Sequence, residues 1–107
     1  MPELGMRGEA VFAALADPTR RTVLGRLAEE GPLSATQLAA RFPVSRQAVV
    51  KHLSALADAG LVHSERAGRE VRYQLAPAAL DDAVAWLVTV GNRWDRRLSA
   101  LRRHLEA

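Results

Sequence analysis

The chain of 107 residues contains no cysteine, which excludes disulfides and thiolate metal sites. No stretch approaches the roughly 20 consecutive apolar residues that a membrane span requires. Met1 to Arg7 lack the basic-then-apolar layout of a secretory signal. A cytoplasmic protein without a membrane partner is expected. The constellations of catalysis are missing too: no histidine has a foreseeable carboxylate or serine partner, and there is no glycine-rich phosphate loop, so no enzyme is expected. His52, His63 and His104 have no partner at ligand spacing such as i and i+4, and neither a metal nor another cofactor is expected. His52 is read as a packed or capping residue, His63 as solvent-facing on a strand, and His104 as a cation suited to a helix C-terminus.

What is present suits one small domain, with 49% of residues apolar. A monomer of this length buries roughly two-thirds of its unfolded surface, which leaves a thin core that a partner subunit would supplement. The formal net charge is only +3, but residues 31–76 hold six basic and three acidic side chains, against net −1 for residues 1–30 and +1 for 77–107. A local basic surface of this kind fits a polyanion, and equally a face that is merely solvated.

Val11, Phe12 and Leu15 recur at helical spacing within residues 7–16. Asp17 and Pro18 then suit the N-cap and first position of a second helix, which reaches Glu30 with Val23, Leu24 and Leu27 inward and Arg20, Arg21 and Arg26 outward. Gly31-Pro32 ends it. Ser34 and Gln37 stand at capping-box spacing and open a third helix, Ala35 to Phe42. Pro43 cannot continue that helix. Ser45 N-caps a fourth, with Ala48, Val49, Leu53 and Leu56 on one face as far as Asp58, and Gly60 terminates it.

From Leu61 to Leu75 the period falls to two, with Val71, Tyr73 and Leu75 alternating with Glu70, Arg72 and Gln74. This predicts a β-hairpin turning at Ala67-Gly68. A two-residue loop would set Glu65 opposite Glu70 and a three-residue loop would pair Arg66 with Glu70; the longer loop is preferred. Pro77 opens a last helix with Asp81 and Asp82 early and Arg102, Arg103 and His104 late, as the helix dipole favours. Leu80, Val84, Leu87, Gly91, Trp94, Leu98, Leu101 and Leu105 form an unbroken heptad seam along it, widened in its first half by Ala83, Trp86 and Val90. The seam can be buried by the chain's own first helices or by the same helix of a second subunit. The second is favoured, because the rest of the core is thin and a long terminal helix suits an isologous two-fold interface. Gly91 at mid-seam costs about 1 kcal/mol of helix propensity and hints at close backbone approach.

Two helices separated by a tight turn, the second presenting Arg46, Gln47, Val50, Lys51 and Ser54 opposite its apolar face, have the form of a helix-turn-helix. Its first turns would meet base edges in a major groove, where arginine grips guanine, glutamine pairs with adenine and a valine methyl touches thymine. Arg46, Gln47 and Val50 are therefore the candidate base readers. Ser45, Lys51 and Ser54 suit the phosphate backbone. The hairpin that follows is a wing whose Arg66, Arg69 and Arg72 would straddle phosphates or enter the minor groove. An ordinary helical hairpin, and arginines that merely discourage edge pairing, are the bland alternatives.

Ala14-Leu15-Ala16-Asp17-Pro18-Thr19-Arg20-Arg21, Gln37-Leu38-Ala39, Val44 to Leu53, Ala59-Gly60-Leu61-Val62, and Gly68-Arg69 with Tyr73-Gln74-Leu75, in this order and spacing, resemble the ArsR-type winged-helix repressors. The resemblance implies a mainly α fold with a small β-hairpin, in the order α-α-α-α-β-β-α, with N-terminal helices in 7–30, the helix-turn-helix in 34–58, the wing in 61–75 and a dimerisation helix in 77–106. It also implies a homodimer that binds double-stranded DNA at a palindromic operator and usually represses its own operon. Where the family's metal sensors carry a cysteine pair, this chain has Ser34 and Thr36; where they carry a second ligand set on the last helix, it has Asp81, Asp82 and Asp95 with only His104. It resembles the cysteine-free branch, its effector unknown. A space near Trp86 and Trp94, between the last helix and the winged domain, is the place considered for one. The competing reading is a helix-turn-helix adaptor acting through protein or small-molecule binding with weak DNA affinity.

Overall fold

The computed structural model describes residues Met6–Glu106, with the side chains at positions 6, 7, 94 and 98 outside the description. The elements are α1 (Met6–Leu15), α2 (Pro18–Glu30), β1 (Leu33–Ser34), α3 (Ala35–Ala39), α4 (Arg46–Asp58), β2 (Val62–Ala67), β3 (Glu70–Leu75) and α5 (Pro77–Glu106). The fold is mainly helical with one small antiparallel sheet, as expected.

Local chemistry sets most of the boundaries. Asp17 Oδ1 accepts from the backbone N–H of Thr19 at 2.8 Å and of Arg20 at 3.2 Å, which satisfies two of the free donors at the start of α2. Arg21 reaches back to the free carbonyls at the end of α1, donating to Leu15 O at 2.7 Å and to Ala16 O at 3.4 Å. Ser34 and Gln37 close a reciprocal capping box, with Gln37 N to Ser34 Oγ at 3.1 Å and Ser34 N to Gln37 Oε1 at 2.9 Å. At the end of α4, Leu61 N donates to Leu56 O and Gly60 N to Ala57 O, both at 2.9 Å, with Gly60 at φ 77°. That pairing is a Schellman motif, and the left-handed residue it needs is the glycine.

Four expectations are corrected. The third helix stops at Ala39, not Phe42. Arg41 N and Phe42 N bond to the carbonyls of Leu38 and Ala39, three residues back, and Pro43 draws Phe42 out of helical geometry. Arg20, expected outward, is half-buried with its Nε enclosed, in a recess it shares with Ala14, Ala55 and Asp58 where α1 and α4 cover that side of α2. The hairpin turns on Gly68-Arg69, pairing Ala67 with Glu70, Arg66 with Val71 and Glu65 with Arg72. Gly68 at φ 65° followed by a residue without positive φ is the pattern of a type II′ turn, so two residues suffice and the facing carboxylates never arise. The fourth correction is an addition: β1 pairs Leu33 with Tyr73 and Ser34 with Arg72, so the sheet has three strands in the order β1-β3-β2.

Leu27, Leu38, Leu53, Leu56, Leu61, Val11, Val23 and Val49 fill the centre of the molecule with almost no exposure. Burying each such side chain contributes about 1.5–3 kcal/mol. Helix α5 joins this core through Ala79 and Ala83, which are buried, and through Trp86, whose ring meets Phe12 edge-on at 5.7 Å and 65°. Molecular extents of 67 × 27 × 19 Å show how far the long helix projects from the compact part. The seam divides accordingly. Leu80 is half-buried, whereas Val84, Leu87, Leu101 and Leu105 are 50–74% exposed and Gly91 is open; Trp94 and Leu98 belong to the side chains outside the description.

Across the ends of α2 and α3, Glu30 receives Arg41 Nε at 2.8 Å and Nη2 at 2.7 Å. This pairing holds the Glu30 carboxyl below its usual range and raises Arg41. The Asp17 carboxyl is also held below its ordinary value near 3.8, first by the backbone N–H of Arg20, then against a small burial penalty by Thr19 N–H and the charges of His52 and Arg20. A depressed folded pKa gives a stability contribution present above the unfolded value and lost as pH falls through the folded one. Asp17→Asn keeps an oxygen acceptor but cannot ionise. It should melt below wild type at neutral pH, with the gap narrowing as pH falls from about 5 to about 3. Thermal unfolding followed by circular dichroism across that range checks this, and a gap independent of pH would contradict it.

Candidate nucleic-acid interface

Helix α4 is divided lengthwise. Val49, Leu53 and Leu56 have no exposure, while Arg46, Gln47, Lys51 and Ser54 are exposed. The 3.6-residue period places Gln47, Lys51 and Ser54 directly opposite the buried stripe, and Arg46 and Val50 at one edge of the open face. Val50 is accordingly half-buried. The candidate base readers therefore fall on two parts of one surface: Gln47 stands with Lys51 and Ser54, two of the three backbone candidates, and Arg46 and Val50 stand toward the hairpin.

At that edge lies a cleft of about 450 Å³. Thr36, Arg46 and Val50 line one wall, and Arg69, Glu70, Val71 and Tyr73 the other. The space exists because β1 stops at Ser34, so the upper part of β3 runs past the start of α3 instead of past another strand. Arg46 Nε donates to Thr36 Oγ1 at 3.1 Å. Ser45 Oγ accepts from Ala48 N at 3.1 Å, which makes it the N-cap of α4 and leaves its hydroxyl proton free to donate outward.

The wing arginines do not form one cluster. Strand alternation puts Arg66 on the face shared with Val71, Tyr73 and buried Val62, and Arg72 on the other face with Glu65 across from it. Arg72 Nε also meets Glu70 Oε2 at 3.3 Å, so one carboxylate pairs with it and the Glu65 carboxylate stands opposite in the ladder. Arg69 stands at the turn. The basic excess legible in the sequence is thus concentrated at Arg46, Lys51, Arg66 and Arg69, not spread along the hairpin.

Thr36 and Glu70 were absent from the sequence-derived site. The available signal for Thr36 was its place in the first turn of the helix before the turn, where a hydroxyl meets the first residue of the next helix. His52 is half-buried and close enough for its charge to act on Asp17, which fits a packed residue. Among the described residues, no group of three or more His, Cys, Asp or Glu is placed to hold a metal ion, and no helix is long and apolar enough to cross a membrane.

Comparison with known proteins bears on this surface. A model of the helix-turn-helix domain matches residues 15–65. The transcriptional repressor SdpR of Bacillus subtilis is 33% identical over 88 residues, spanning 82% of this chain and 97% of that protein. An ArsR-like transcriptional regulator from Rhodococcus sp. RHA1 superposes with a TM-score of 0.77 at 46% identity, covering 91% of each chain. The homodimeric winged helix-turn-helix DNA-binding domain Mb0332 of Mycobacterium bovis shares the fold, with a TM-score of 0.64 at 24% identity over 92% of this chain and 94% of that one.

The split of the wing arginines has a measurable consequence. Arg69→Ala should flatten the slope of log affinity for duplex DNA against log salt by about one unit per bound chain, and Arg72→Ala by much less. Fluorescence anisotropy at several salt concentrations reads both slopes, and equal changes would show that the Glu65 and Glu70 carboxylates do not shield Arg72.

Proposed function

Since the chain belongs to the ArsR family of winged helix-turn-helix transcriptional regulators, we propose that it acts as a homodimeric repressor, binding a palindromic operator and controlling its own operon. The observation that carries this reading is the lengthwise division of α4, whose fully buried Val49, Leu53 and Leu56 anchor an open face bearing Gln47, Lys51 and Ser54 with Arg46 at its edge. In this reading α4 enters the major groove. Arg46, Gln47 and Val50 read base edges; Ser45, Lys51 and Ser54 hold phosphates; Arg66 and Arg69, with a weaker share from Arg72, track the adjoining backbone. The repressor role is supported by the likeness to SdpR.

The exposed stripe Val84, Leu87, Leu101 and Leu105, continued by Leu80, Gly91, Trp94 and Leu98 in the same heptad register, supports α5 as the two-fold interface. A two-fold protein presents two α4 helices, and two half-sites related by the same symmetry make a palindrome. The homodimeric domain of the M. bovis neighbour supports the same assembly. Without cysteine, the signal that releases the operator is one other than a thiolate-bound metal.

Selection from a random DNA pool tests the function, and enrichment of no palindrome would contradict it. Arg46→Ala should weaken binding to the selected operator by about 1–3 kcal/mol and relax preference at one base pair per half-site. Anisotropy at fixed salt reads this, and an unchanged preference would refute the base-reading role. Leu87→Arg should convert a sedimenting dimer into monomers and abolish tight operator binding. Sedimentation of the wild type as a monomer at micromolar concentration would refute the assembly, and a flat salt titration would point to an adaptor.

A further inference from the structure

Arg46 is the first residue of α4, and an arginine there has several rotatable bonds with which to choose among partners. Its Nε is engaged by Thr36 Oγ1 at 3.1 Å. The opposite wall of the same cleft carries Glu70, whose carboxylate meets Arg72 Nε at 3.3 Å through one oxygen and keeps a second with which to compete for another guanidinium. A guanidinium has five N–H donors in a rigid plane. With Nε taken, the two terminal Nη groups of this exposed side chain remain as a fork that can meet guanine O6 and N7 together.

We propose that Thr36 is a positioning residue for DNA recognition: its hydroxyl holds the Arg46 guanidinium by Nε, away from Glu70 and with the Nη fork turned outward, and so sets the base discrimination of α4. The proposal rests on the regulator reading above. Ser34, the neighbouring hydroxyl residue, is occupied in the capping box, and Ser45 in capping α4. Thr36 is the hydroxyl of this turn that couples the helix before the turn to the side chain that reads. Its own contact is with Arg46, so its effect passes through that residue.

The test uses full-length protein and the operator selected by the wild type. Thr36→Val keeps the β-branched shape and removes the hydroxyl. It should lower discrimination at the base pair read by Arg46 by about five- to tenfold, the loss expected when a charge-assisted hydrogen bond no longer preorganises the donor, while affinity for random duplex stays at the wild-type level. Thr36→Ser should restore discrimination. In an Arg46→Ala background, Thr36→Val should change nothing further. Wild-type discrimination in Thr36→Val overturns the role of Thr36, and so does the same loss in the Arg46→Ala background, which would mean that Thr36 meets DNA itself. An Arg46→Ala profile identical to wild type overturns it as well. A wild type that enriches no sequence overturns the regulator reading and this one with it, and is distinguishable because it precedes any variant.

Discussion

A helix can offer a rigid reading face only if its opposite face is anchored, and the complete burial of Val49, Leu53 and Leu56 supplies that anchor here. Losing any one of them would open a cavity costing about 2–5 kcal/mol for a leucine. Such a cost is a large fraction of the stability of a domain this small. Both ends of α4 are fixed as well, by the Ser45 cap and by the Schellman motif through Gly60 and Leu61. Leu61 does double duty, since it is buried in the core and its carbonyl receives Ala76 N at 2.8 Å, closing the base of the hairpin. The wing is thereby fastened to the end of α4. The geometry between them follows from this one junction.

The same economy explains α5. Ala79 and Ala83 present little more than backbone to the core, so α1 can approach closely, and Trp86 completes the contact against Phe12. Alanine burial supplies less apolar area than leucine would, and the larger side chains Val84, Leu87, Val88, Leu101 and Leu105 stay exposed. Large apolar side chains left exposed along one helix form the kind of surface that a partner covers. At the end of the helix, Arg103 and His104 stand in the last turn, where the macrodipole favours cations, while Asp81 and Asp82 lie beyond the first turn.

Features governed by neighbouring residues were legible in the sequence. The Asp17 and Ser45 caps, the Ser34–Gln37 box and the stop at Gly60 each depend on two to six consecutive residues, and the heptad seam on repetition. Features governed by distant contacts were not. The hairpin register depends on the φ pattern at Gly68-Arg69 and on where β1 meets β3, and β1 itself is two residues, too short for any period to show. Arg20 reads as a surface residue by its helical phase, yet α1 and α4 both lie over it. In the site, Gln47, Lys51 and Ser54 could be read from phase alone. The separation of Arg66 from Arg72, the placing of Glu65 opposite Arg72, and the hold of Thr36 on Arg46 all require the sheet register or a contact between helices.

Ser34 and Thr36 show what the absence of cysteine leaves room for. These two positions begin α3, the helix that packs against the first turn of α4. A thiolate at either would place a charge beside the start of α4. In this chain both are neutral hydroxyl residues with assigned partners: Ser34 Oγ with Gln37 N, and Thr36 Oγ1 with Arg46 Nε. The first fixes where α3 starts; the second extends that fixed point to the guanidinium at the head of α4. Because a capping box is satisfied reciprocally and its Ser34 is buried, a shift of the start of α3 would leave backbone donors unpaired. The junction of α5 with α1 is built differently, from the small side chains Ala79 and Ala83, half-buried Leu80 and the Trp86–Phe12 pair, with no cap among the described residues to fix its position.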